Sequence, residues 1–174
     1  MAFFITMKLI NHLFFLVPFL SAGQSFPKDW VGTYSGTMRM GNQKTEQQIE
    51  VELTITTLVT DSLWSYKMTY NAPNGKMEKN YKICLEKAGC FVLDEGGVLI
   101  PMLFSTGCFY DFYIIDSMYF NSILSYESKS QLQFNLYGGS LKQNNLLKTS
   151  EDGVVVEAFL PNFSQRVILK RKKK

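Results

Sequence analysis

Histidine is all but missing from this chain: the only one, His12, falls inside an N-terminal apolar stretch that reads as a cleavable export signal. The mature part therefore lacks the usual general base at neutral pH, the commonest metal ligand and the middle member of most nucleophilic triads. Haem held by a proximal imidazole is excluded on the same ground, leaving only tyrosine ligation open. There is no phosphate-cradling glycine loop, nucleophile elbow or His–Cys constellation. Three cysteines at this spacing fall short of the four ligands a closed zinc site wants. No metal, no cofactor and no enzymatic activity are expected.

Long apolar runs are also scarce. Lys8 supplies a positive n-region, residues 13–20 an apolar core, and Ser21-Ala22-Gly23 the small residues that signal peptidase reads. That core is too short for a permanent transmembrane helix. The aromatic run over 109–124 comes nearest to one later in the chain, but Asp111, Asp116 and Asn121 interrupt it. The expected organisation is a signal over 1–23, one domain over 24–169 and a basic tail over 170–174, with the protein exported to a periplasmic or extracellular location.

Positive charge is concentrated rather than spread. Lys8 leaves with the signal, so the remaining basic residues exceed the 15 acidic ones by only two, and five of them are the terminal Lys170-Arg171-Lys172-Lys173-Lys174. The rest of the chain is slightly acidic, without the broad cationic face that nucleic-acid binding needs. The tail reads as a solvated end, with attraction to anionic lipid or glycan as the alternative.

What is present in quantity is alternation. Ile49, Val51, Leu53 and Ile55 alternate with Glu50, Glu52, Thr54 and Thr56, the period of two that marks a half-buried strand. Trp64, Tyr66, Met68 and Tyr70 repeat the pattern with larger side chains, and the run over 71–75 ends it with turn chemistry. Tyr81, Ile83 and Leu85 share a face, as do Leu132, Phe134 and Leu136. Two further strands fall near the end, over 154–160 and 166–169. Residues 98–104 carry a central Pro101 and read as an edge strand or a loop over a barrel mouth. Residues 108–116 are apolar on both faces, which calls for cover by that loop, a membrane surface or a partner, a homodimer included. The count is about eight to ten short strands with no amphipathic helix. Open edges invite aggregation, so the expected fold is all-β, a single antiparallel up-and-down barrel.

The first mature strand, Asp29-Trp30-Val31-Gly32-Thr33-Tyr34-Ser35-Gly36, resembles the opening strand of lipocalin-like (calycin) barrels. The resemblance implies a barrel closed at one end by an aromatic side chain, with a basic residue of the last strand across its ring. Gly32-Thr33-Tyr34 puts Tyr where the strict pattern has Trp, Trp30 stands nearby, and Arg166 is the matching basic residue. The layout is also similar to that of exported bacterial proteins of no assigned activity: a signal, a Trp-x-Gly-x-Tyr strand, a Trp-containing third strand and an Asp-Glu-x-Gly turn, here Asp94-Glu95-Gly96-Gly97.

A calycin barrel has room for one small ligand if its inward residues leave space. Both Trp and all nine Tyr lie in the mature part. Tyr34, Met38, Trp64, Tyr66, Tyr70 and Tyr81 fall on faces read as inward and form the candidate ligand-binding set. Core packing is the plainer reading of any one of them; their clustering on consecutive strands argues for a pocket. Asp94 with Glu95 and Glu151 with Asp152 belong to turns, whereas Asp111 and Asp116 stand among rings, where burial would raise a carboxyl pKa. Cys84 and Cys90 flank a turn and can bridge if the loop spans 85–89. A three-residue turn would instead pair Glu86 with Cys90 and Cys84 with Val92, holding the sulfurs apart. Free thiols are the preferred expectation, and any disulfide is Cys84–Cys90. The functional expectation is a barrel binding a small hydrophobic or amphipathic molecule. The alternatives are an envelope interaction module or inhibitor with a filled barrel, and a cofactor-free isomerase or cyclase.

Overall fold

The computed structural model describes residues 26, 28–42, 44–86, 89–142 and 146–173; the expected signal lies outside them. Twelve strands follow in chain order: β1 (Gly32–Asn42), β2 (Glu46–Val59), β3 (Leu63–Ala72), β4 (Gly75–Leu85), β5 (Phe91–Glu95), β6 (Val98–Ser105), β7 (Cys108–Ile115), β8 (Met118–Ser128), β9 (Gln131–Ser140), β10 (Leu146–Glu151), β11 (Val154–Phe159) and β12 (Phe163–Arg171). Ten of them form a closed barrel in the order β1-β12-β9-β8-β7-β6-β5-β4-β3-β2, while β10 and β11 pair only with each other. The fold is thus the all-β, up-and-down barrel expected, with one hairpin inserted between the last two wall strands.

Closure comes from β1 and β12, which pair antiparallel from Tyr34↔Arg171 to Asn42↔Phe163. The alternation read from the sequence sets which side chains face inward. Val51, Leu53 and Ile55 on β2 and Trp64, Tyr66 and Met68 on β3 are buried, and Val167 and Leu169 complete the core across the seam. Burying side chains of this size stabilises by about 1.5–3 kcal/mol each. Leu85, expected inside with Tyr81 and Ile83, is exposed at the strand end.

Two expectations are corrected. The 98–104 segment is neither a loop nor a lid but the wall strand β6, with Pro101 opposite Val92 of β5. Proline is accommodated because the ladder on the other side has lapsed: β6 pairs with β7 only over Leu103↔Tyr110, Phe104↔Phe109 and Ser105↔Cys108. The outward apolar face of β7 is consequently uncovered, with Phe112 59% and Ile114 53% exposed among the described residues. The second correction concerns the basic run: Lys170 and Arg171 belong to β12 and not to a tail.

The barrel has two unlike ends. At the end where β1 begins and β12 finishes, Phe26 meets Trp64 and Phe109 edge-on at 4.8 Å, and Trp30 lies 5.5 Å from Phe109 and 5.6 Å from Tyr126. Phe91 and Phe104 join the same cluster, which plugs that end with rings. At the opposite end, where β3, β5, β7 and β9 finish, the described residues form no such ring cluster.

Candidate functional site

The closed end holds the site expected for the calycin-type closure, with one substitution of residue. Arg171, not Arg166, lies over the Tyr34 ring, its guanidinium carbon 4.7 Å from the centroid. Its nitrogens donate to the carbonyls of Val31 (2.6 Å), Asp29 (2.6 Å) and Lys129 (2.7 Å) and to the Tyr34 hydroxyl. That hydroxyl in turn donates to the Trp30 carbonyl at 2.9 Å. A Cβ at Gly32 would collide with the guanidinium, so the glycine makes room for it. Arg166 is exposed on the outer face, in register with Arg39. The reason is parity: Val167, Leu169 and Arg171 share the inward face, and Arg166 falls on the other. Trp30 and Tyr34 are wholly buried here.

Toward the open end the interior hollows into a cavity of about 110 Å³. Of the six residues expected to bind a ligand, Tyr66, Tyr70 and Tyr81 line it. Tyr34, Met38 and Trp64 are buried on the inward face but do not reach it, since Tyr34 and Trp64 are taken up by the closed end. The structure adds residues the sequence did not single out, chiefly Tyr113 on β7, Ser122 on β8 and Gln165 on β12. Met68, Ile83, Leu93 and Met102 supply an apolar floor and flank.

Among the described residues, Asp111 is the one carboxylate lining this cavity. It stands opposite Ser122 in the β7–β8 ladder. It accepts hydrogen bonds from the Ser122 N–H (3.2 Å) and hydroxyl (2.5 Å). Burial raises its pKa above the ordinary aspartate value, and the two Ser122 hydrogen bonds oppose that rise. Among the described residues it makes no ion pair. Burial also pushes up the phenols around it: Tyr66 well above the ordinary value, with Tyr70, Tyr81 and Asp111 adding to the rise, and Tyr113 to about 12, with Asp111 the next contributor. Tyr66 and Tyr81 lie 5.9 Å apart, and Tyr113 stacks on Phe120 at 5.1 Å. Burial, and next the Glu95 charge, push the Tyr81 phenol up, and Lys79 pairs with Glu95 at 3.1 Å. At neutral pH the phenols are donors rather than bases, so the wall offers aromatic faces, hydroxyls and a single buried acid.

The other candidates resolve simply. Asp94 accepts from the Gly97 N–H at 2.7 Å in its turn, and Asp116 and Asp152 occupy turns with positive φ. Cys84 faces Val92 and the Glu86 N–H donates to the Cys90 carbonyl, the three-residue-turn geometry that separates the sulfurs. All three cysteines are free. No three His, Cys, Asp or Glu side chains gather as a metal site among the described residues.

Fold and site together define a calycin-like barrel, plugged by rings at one end and hollow at the other. No protein-family model and no curated protein matches the chain. Among solved structures it is similar to the S-type phycobiliprotein lyase CPES from Guillardia theta, with 10% identity, a TM-score of 0.57, and 84% of this chain and 90% of that one covered. It is also similar to a protein of unknown function from the DUF3598 family of Nostoc punctiforme, with 11% identity and a TM-score of 0.57, over 83% of this chain and 48% of the other. At that identity the likeness is one of fold.

Proposed function

We propose that this chain is an exported barrel that binds a small hydrophobic or amphipathic molecule in the cavity at its open end, without cofactor and without catalysis. The observation that carries the reading is the cavity itself: a largely apolar pocket walled by Tyr66, Tyr70, Tyr81 and Tyr113, with one carboxylate among its described lining, Asp111, fixed by Ser122. A few placed polar groups in an aromatic wall is the pattern of a small-molecule site. The similarity in fold to a phycobiliprotein lyase is in keeping with a barrel that handles a small molecule. The enclosed space is below the common range for drug-sized ligands and nearer the ~150 Å³ that holds a single benzene ring, so the buried part of the guest is about one ring. Export rests on the sequence of residues 1–23.

Native mass spectrometry of the protein recovered from its own cell envelope tests both parts. A chain beginning at Gln24 with a co-purifying small molecule is the expected result. A full-length chain would remove the export reading; a clean apo mass, followed by no binding from a fragment library, would remove the ligand.

A second reading has its own observation. Leu99, Leu103, Phe112 and Ile114 form an exposed apolar strip on the outer face of β6 and β7, which suits an interaction module or a homodimer. Sedimentation velocity separates the two: a monomer that binds small molecules supports the first, a ligand-free dimer the second.

A further inference from the structure

We infer that the ligand of the open-end cavity is an organic cation, a protonated amine carried on a single ring or a short apolar body. This rests on the cavity being a ligand site and says what that site selects. Among the described residues, the wall carries a carboxylate, Asp111, and no Lys or Arg. Lys79, on the same strand as Tyr81 and Ile83, is paired with Glu95. An anionic guest would therefore meet the Asp111 charge with no cation in the described lining to offset it, and a neutral hydrocarbon would leave Asp111 desolvated for nothing.

The Asp111 carboxylate is presented, not buried out of reach. Its two oxygens offer about four acceptor sites, and Ser122 occupies one on each oxygen. Both of those donors are neutral, so the negative charge is oriented but not compensated. A carboxylate taken partly out of water is costly to keep charged without an opposite charge, and no described residue supplies one. The rings complete the arrangement. Tyr66 and Tyr113 stand close enough to feel the Asp111 charge, and Tyr70 and Tyr81 line the same space. Aromatic faces attract a cation within about 6 Å of their centroids, and more strongly when it is desolvated. An ammonium reaching Asp111 passes between these faces, while Met68, Ile83, Leu93 and Met102 take an apolar body.

Both halves of the cation site come from neighbouring strands, and the register that fixes them is set by one turn. Asp111 and Ser122 face each other because β7 and β8 meet at the turn of Asp116 and Ser117. The dimensions point to a small guest: about 110 Å³ takes about one ring.

The test compares three probes of one shape on the unaltered chain by ligand-observed NMR titration: benzylamine, benzyl alcohol and benzoate, all at neutral pH. Benzylamine is expected to bind at least ten-fold more tightly than benzyl alcohol, and benzoate more weakly than either. In Asp111→Asn the amine preference is expected to fall to within about three-fold of the alcohol. Benzyl alcohol binding as tightly as benzylamine, or benzoate most tightly, overturns the cation and leaves the ligand pocket standing. Binding by none of the three up to millimolar concentration overturns both. The three-probe comparison needs no variant, so the inference remains decidable if Asp111→Asn fails to fold.

Discussion

Replacing Arg171 by methionine removes the guanidinium while keeping a long apolar stem, and the structure gives the loss a size. Four hydrogen bonds disappear, to Asp29, Val31, Lys129 and the Tyr34 hydroxyl, together with the contact over the Tyr34 ring at 4.7 Å. Charged donors contribute about 1.5–3 kcal/mol each when fully formed, and an exposed cation–ring contact about 0.5–1 kcal/mol. Arg171 is only half-buried, so the freed carbonyls regain water and the charge was already screened. A net loss of about 3 kcal/mol is expected, which for a domain of this size lowers Tm by about 6–12 °C. Urea unfolding followed by tryptophan fluorescence is the direct assay, because Trp30 and Trp64 both lie in the ring cluster beside Arg171. Arg166→Ala is the control: Arg166 is exposed, and its loss is expected to stay within about 0.5 kcal/mol. An Arg171→Met protein as stable as the parent, or an Arg166→Ala protein equally weakened, would refute the assignment of barrel closure to Arg171.

Gly36→Ala would place a Cβ 2.2 Å from the Ile168 carbonyl oxygen and 2.9 Å from a Val167 methyl. Overpacking at the β1–β12 seam is expected to cost about 1–3 kcal/mol or more, read as a lower urea midpoint. Asp111→Asn is expected to raise the thermal midpoint at neutral pH. The folded-state pKa of Asp111 is raised by burial, so its protonated form favours the fold and its ionised form opposes it. The gain is therefore present above the folded pKa and shrinks as pH falls toward the unfolded-state value; a constant or inverted difference across that window contradicts the burial. With Ellman's reagent, three thiols are expected in the unfolded protein. In the folded protein the exposed Cys90 reacts first and Cys84, whose thiol burial pushes up, follows slowly; a total below three would mean that a bridge has formed.

The parts of the fold that were legible are those where one strand face is dry and the other wet. On β2 and β3 the residues 49–55 and 64–70 announce themselves, because a period of two in hydrophobicity has no other cheap origin. On β6 the signal fails: Leu99, Pro101 and Leu103 point outward yet are apolar, so the strand shows no alternation, and its proline argued for an edge. The lapsed β6–β7 ladder makes it half an edge in fact. Arg171 was hidden by composition. A run of basic residues reads as a solvated tail, although the parity of Val167 and Leu169 already placed position 171 inside. For the site, parity put Tyr66, Tyr70 and Tyr81 on the inner wall but could not give their height along the barrel axis. Tyr34 and Trp64 share that wall but are taken up by the plugged end, and Met38 is buried without lining the cavity. Asp111 stood out as a carboxylate among rings without a partner. Centring the hairpin on Asp116 and Ser117 pairs 111 with 122, so the missing signal was the position of a turn.

The two ends of the barrel divide the work that a single interior must do. At the plugged end rings and the Tyr34–Arg171 contact pack with buried aliphatic side chains such as Ile55, Leu132 and Leu169, and the ring contacts link strands far apart in sequence: Phe26 touches residues of β3, β5, β6 and β7. Such packing fixes the diameter and register of the whole wall, because a closed sheet cannot shift one strand without moving the rest. Register fixed at one end carries along each strand to the other, where it sets Asp111 opposite Ser122 and Tyr66 opposite Tyr81. The open end can then hold groups that would destabilise an ordinary core, a half-buried carboxylate and phenols kept from ionising, without contributing to closure. The cavity is thus positioned by rigid strands rather than by loops, and a few inward residues above the plug line it.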